Sequence, residues 1–165
     1  MRIDKRRRRE NKTDYLKRRN MLKGNVPRLV FRKTNKYILL QYVTSKEAQD
    51  KIEIGLTSKD LLKYGWPKES EGSLKTLPAS YLIGYLMGKK ISEKNLERPI
   101  VDFGMIRTLH KTKIYAFLKG MQDSGIEIKC NEEFFPEEDR IIGKHMKKDF
   151  SKKFKEIKLK IESTK

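Results

Sequence analysis

Cysteine is nearly missing from this 165-residue chain: Cys130 stands alone. A single thiol closes no internal disulfide, which fits a reducing compartment. Histidine is almost as scarce. With only His110 and His145 available, a zinc site would have to gather carboxylates from distant stretches. Cys130 reads more simply as a small apolar filler near an element end. No apolar run approaches the ~20 residues that cross a bilayer, so a transmembrane role is excluded. The start is charged but no apolar stretch follows it, so no secretory signal is expected. Also missing are a phosphate-cradling glycine motif, a nucleophile elbow, internal repeats and low-complexity tracts. The chain is therefore expected to hold no metal or cofactor, to turn over no small-molecule substrate and to carry no catalytic residue.

Negative charge is in short supply too. Forty Lys and Arg face twenty-two Asp and Glu, leaving a net charge of +18. A folded chain that repels itself this strongly normally meets a polyanion, either nucleic acid or an anionic membrane surface. A membrane-surface role needs an amphipathic helix outside the core, which only the C-terminal tail could supply. An RNA-processing enzyme would need clustered acids. Asp102 sits by itself on a buried-type strand, whereas Glu132, Glu133, Glu137, Glu138 and Asp139 lie far along the chain around Phe134, Phe135 and Pro136. One carboxylate does not hold two metals, and the acidic segment reads as a loop pinned by its aromatics.

Three parts follow one another: a basic arm at 1–25, a regularly patterned region at 26–146, and a basic extension at 147–165. Residues 1–19 hold ten basic and three acidic side chains and little to bury, so the arm alone is expected to be disordered. Arg28–Lys33 and Tyr37–Val43 read as a hairpin turning at Thr34-Asn35-Lys36. Ile52, Ile54 and Leu56 alternate with polar or small residues as a third strand. Thr76 is placed to cap a helix carrying Ala79, Leu82, Ile83, Leu86 and Met87 on one stripe, with Ser80, Gly84 and Gly88 on a second stripe that a backbone could approach closely. Pro99–Phe103 reads as a buried strand. Thr112 opens a second helix bearing Ile114, Phe117, Leu118 and Met121, stopped by Gly125. The expected fold is α/β: a mixed sheet, made of an antiparallel three-strand meander plus a further strand, with helices packed on one face. In the tail, Phe150, Phe154, Ile157 and Ile161 form a single helical stripe among lysines. A lone helix of that length is marginal in water, so it is expected to order only against an external partner.

Three constellations bear on recognition. Arg6, Arg7, Arg8 and Arg9, followed by Lys12, Tyr15, Lys17, Arg18 and Arg19, combine two-pronged phosphate ligands with a stacking ring; a localisation signal or a solubilising tail is the plainer alternative. The hairpin Arg28, Arg32, Lys33, Asn35, Lys36 presents cations and an amide on a rigid scaffold, although any polar hairpin has a similar look. The loop containing Arg107, Lys111 and Lys113 leaves a strand and enters a helix, a common place for anions. His110 lacks a nearby nucleophile or acid pair and reads as a polar contact.

The succession KTDYLKRRNMLK, PRLVFRKTNKYILLQ, SKDLLKYGW, LPASYLIGYLMGKK, VDFGMIRT, KIYAFLKGMQDSGIEI and FFPEEDRIIGKHM resembles the family of large-subunit ribosomal protein eighteen. The Lys-Tyr-Gly-Trp element and the late Phe-Pro…Gly-Lys-His segment point to its archaeal and eukaryotic-type branch. The likeness runs in order over roughly 12–146 and leaves the tail outside it. It implies a non-enzymatic cytoplasmic ribosome component that binds 5S rRNA in the central protuberance, touching large-subunit rRNA and neighbouring ribosomal proteins. Matched position by position, it adds Lys63, Tyr64 and Trp66 to the arm and hairpin residues as RNA contacts.

Overall fold

Alternating apolar residues build the sheet. In β1, Arg28–Lys33, Leu29 and Phe31 are buried against the helices while Arg28, Val30 and Arg32 point to the opposite face. β2, Ile38–Lys46, and β3, Gln49–Thr57, complete an antiparallel meander, and β4, Ile100–Asp102, joins β1 in parallel, giving the order β3-β2-β1-β4. The computed structural model describes residues 3–47, 49–68, 72, 74–146 and 150–163. The α/β fold with a mixed four-stranded sheet agrees with the expectation from sequence.

Two strands depart from it in detail. Tyr42 faces Ile54 but Val43 faces Ile52, so Glu53 is an extra residue on β3. Such a bulge reverses the side-chain alternation beyond it, and Ile52 is 52% exposed instead of joining Ile54 and Leu56 inside. β4 is a short outer edge strand, not a buried one. Among the described residues no strand pairs beyond it; Ile100 is 41% exposed and the buried side chain is Asp102.

The central helix α3, Leu77–Glu93, is buried almost all round. Its Ala79, Leu82, Ile83, Leu86 and Met87 stripe lies wholly in the core. Across it runs α4, Lys113–Asp123, and the crossing is close because glycines meet backbone. A Cβ on Gly84 would stand 2.5 Å from the Phe117 carbonyl, and one on Gly120 2.2 Å from that of Tyr81. Ser80 seals the same contact, its hydroxyl donating to the Lys113 carbonyl at 2.6 Å.

The tail behaves differently from the expectation. The final helix, here α6, Ser151–Ser163, lays its stripe on its own domain: Phe150, Phe154, Ile157 and Ile161 are each at most 5% exposed and belong to the core. Tyr81 and Tyr85 of α3 receive it. Phe154 packs on Tyr81 at 5.4 Å, the Tyr85 hydroxyl donates to Glu162 at 2.8 Å, and the Lys158 ammonium sits over both rings. Between α4 and α6 lies the short α5, Glu138–Ile142. The arm also takes form, as α1, Arg6–Arg9, and α2, Tyr15–Lys23, though neither buries a residue.

Candidate nucleic-acid interface

The arm lies over the sheet face opposite the core, at its β1–β4 end, and carboxylates hold it there. Asp14 caps α2 by accepting from the Leu16 and Lys17 amides at 3.1 and 3.2 Å, and it pairs with Arg8. The Lys17 amide first, with help from Arg8, holds the Asp14 carboxyl below the usual range against the opposing effect of desolvation. Asp50 joins arm to sheet. One of its oxygens accepts from Arg28 at 2.6 Å and Ser45 at 2.7 Å, the other from Arg18 at 2.9 Å. Burial works to raise its pKa, but hydrogen bonds from Ser45, Arg28 and Arg18 outweigh this and leave it lowered. Asp102 anchors the far side, pairing with Arg32 at 3.1 Å and Arg28 at 3.7 Å while accepting the Gly104 amide at 2.7 Å. Gly104 turns with φ +61, and a Cβ there would strike the Arg32 guanidinium at 2.9 Å.

This network sorts the expected contact residues. Arg28 is 3% exposed, locked between Asp50 and Asp102, and belongs to the interior. Trp66 is 2% exposed and packs on Phe150 at 4.7 Å, so its ring is closed to a base. Both burials have one cause: bulky or charged side chains on motif positions also serve as core. Tyr64 is half-buried against the same core, and Lys63 projects outward beside Asp60 at 3.1 Å. Arg32 is partly exposed, with Asp102 as its partner. Arg6 and Lys12 share Glu10, Arg7 donates to the Thr13 hydroxyl at 3.1 Å, and Arg18 is tied to Asp50. Arg9 and Arg19 are exposed, and Tyr15 is 44% exposed with the Lys5 ammonium 5.3 Å from its ring centre.

At the other end of β1 the Thr34 hydroxyl ties the hairpin turn, donating to the Tyr37 carbonyl at 2.8 Å and accepting the Tyr37 amide at 3.0 Å. Lys33, Asn35 and Lys36 are exposed on it. The loop before α4 comes close by. His110 stacks on Phe134 at 3.8 Å and stands edge-on to Tyr115, while the Lys111 amide donates to the Phe134 carbonyl at 2.9 Å. Arg107, Lys111 and Lys113 line one groove with Lys33. The sequence reading did not single out Lys75 or Arg140, which the fold brings to the same region. Their local sequence gives no such signal, since only tertiary packing gathers them. Among the described residues no group of three or more His, Cys, Asp and Glu is placed to hold a metal, and no helix is long and apolar enough to cross a membrane.

Residues 1–98 match the family model described as ribosomal large subunit proteins 60S L5 and 50S L18. Large ribosomal subunit protein uL18 of Korarchaeum cryptofilum is 42% identical over 151 residues, covering 92% of this chain and 75% of that relative. The chain belongs to the uL18 family. Its counterparts in Methanoregula boonei and Caldivirga maquilingensis are 38% and 39% identical, covering 86% of this chain in each case and 79% and 67% of those proteins. As a uL18-family member the chain is a structural constituent of the large ribosomal subunit and not an enzyme.

Proposed function

We propose that this chain binds 5S rRNA and fastens it to large-subunit rRNA in the central protuberance, beside neighbouring ribosomal proteins. One observation carries the reading: the arm, the hairpin and the loop before α4 each expose cations that no carboxylate among the described residues engages. The internal carboxylates are already spent on fixing Arg8, Arg18, Arg28 and Arg32. Arg9, Arg19, Lys33, Lys36, Arg107, Lys111 and Lys113 stay without a carboxylate partner among the described residues. Fixed cations lacking internal partners attract phosphate. The Asn35 amide and Tyr15 ring, both on the surface, add hydrogen bonding and stacking. The shared family with large-subunit ribosomal proteins supports a partner within that subunit. The test is competition: labelled 5S rRNA against transfer RNA added at equal phosphate concentration. Preference for 5S rRNA supports the proposal, and equal displacement by transfer RNA rejects it.

A further inference from the structure

Between β1, the 105–113 loop and α5 lies a groove of about 340 Å³. Its reachable apolar floor is Ile106, half-buried, and Leu109, 49% exposed, lying over Phe31, Leu77 and Ile114, which are themselves buried. Its walls are Lys33, Arg107, Lys111, Lys113 and Arg140, and Lys75 stands beside Lys113. Among the described residues none of these six cations has a carboxylate partner, whereas Arg8, Arg18 and Arg32 elsewhere on the surface each have one. Lys113 feels the crowding. Partial burial first, then Lys33 and Lys75, push its ammonium pKa below the ordinary value. Unpaired like charges crowded around one groove are unfavourable in the free protein, and an anion entering it relieves them.

We propose that this groove binds an unpaired nucleotide of RNA, its phosphate held by the cationic walls and its base laid on the apolar floor. The proposal rests on the RNA-binding reading above and specifies the form of RNA taken. Two features favour an unpaired nucleotide over duplex backbone. A duplex keeps its bases stacked inside and offers only phosphate and sugar to a protein surface, leaving the apolar floor without a partner. A splayed-out base supplies a flat apolar face of suitable size together with one adjacent phosphate, matching floor and walls at once. The loop is also set in advance, because His110, Tyr115 and Phe134 pin it, so little ordering is needed on binding.

The probes are a fluorescent single-stranded RNA tetranucleotide and a blunt RNA duplex long enough to stay paired, each titrated against the full chain at fixed salt and compared at equal phosphate concentration. Three proteins are compared: the wild type, the groove variant Lys33→Gln/Lys113→Gln/Arg140→Gln, and the arm variant Arg7→Gln/Arg9→Gln/Arg19→Gln. The expected result is tighter binding of the tetranucleotide than of the duplex, weakened at least ten-fold in the groove variant and less than three-fold in the arm variant. Leu109→Ser, which leaves every charge in place, should weaken the tetranucleotide alone. Preference for duplex, or equal loss in both charge variants, overturns the proposal. If the tetranucleotide ignores the groove variant while 5S rRNA still binds the wild type, this inference fails and the broader function stands. If 5S rRNA itself fails to bind, the broader reading fails instead.

Discussion

At the scale of single residues, the tightest constraint is the absence of a Cβ. Gly120 lets α4 ride on the Tyr81 carbonyl, and a methyl group there would overlap backbone that has no freedom to move aside. Overpacking of this kind costs about 1–3 kcal/mol. Gly120→Ala should therefore lower the thermal midpoint by several degrees. Gly55→Ala, whose new methyl would meet only Ile52 at an ordinary 3.8 Å, should leave it nearly unchanged; calorimetry of the two variants makes the comparison. The small-residue stripe Ser80, Gly84, Gly88 was legible as a place of close approach because size alone announces it. The partner glycine on α4 was not, since one glycine in a helix has several plain explanations. The burial of Arg28 and Trp66 was hidden for a related reason. Residue type states what a side chain is able to bind, whereas burial decides whether anything outside reaches it.

Elements carry charge and aromatic pairing that a linear reading only half exposes. The apolar stripe of α6 was visible in the sequence, but its target was not, because Tyr81 and Tyr85 lie about seventy positions upstream and had no period of their own to mark a receiving face. With that face now known, truncation before residue 147 should remove much more helical signal in circular dichroism than the tail itself holds, since α3 loses cover over both tyrosines. Alkali should act on the same contact. Burial, with the hydrogen bond to Glu162, raises the Tyr85 hydroxyl to about 12. In the unfolded chain it ionises near ~10, so the folded state holds its proton more firmly. The stabilisation is complete below pH ~10 and is lost as pH climbs through about 12. Tyr85→Phe should flatten that alkaline fall in a pH series of melting curves. The arm offers the acidic counterpart. Asp50 is lowered in the folded state, so its contribution is present above pH ~4 and disappears as pH drops through the lower folded value. Asp50→Asn should remove part of this at neutral pH, costing about 1.5–3 kcal/mol for hydrogen bonds to charged groups. Trypsin should then cut within α2 faster than in the wild type; unchanged cleavage would show that Asp50 does not hold the arm.

For the whole molecule the question is what its excess of positive charge accomplishes. Much of the fold was legible because hydrophobic period fixes strands and helices locally, but the distribution of free cations was not, since ion pairs form across the fold. In the arm, Arg8 and Arg18 are engaged by carboxylates, and Arg6 and Lys12 share Glu10. Lys5, Arg7, Arg9, Lys17 and Arg19 have no such partner among the described residues. Each free cation that meets a phosphate releases about 0.7–0.9 of a counterion. Removing residues 1–19 should therefore make the log–log salt dependence of 5S rRNA binding shallower by about 4 units if all five engage. Affinity should fall at least ten-fold, or ~1.4 kcal/mol. Stability should hardly change, because α1 and α2 bury no residue and the Arg28–Asp50 pair survives the cut. Arg-to-Lys replacement at Arg7, Arg9 and Arg19 should fall between the two, keeping the salt slope while losing two-pronged geometry. Titrations at several salt concentrations, paired with melting curves, separate the possibilities. Unfolding on truncation would mean that the arm is part of the domain's own stability. Full affinity after truncation would transfer recognition to the hairpin, Arg32 and the loop before α4.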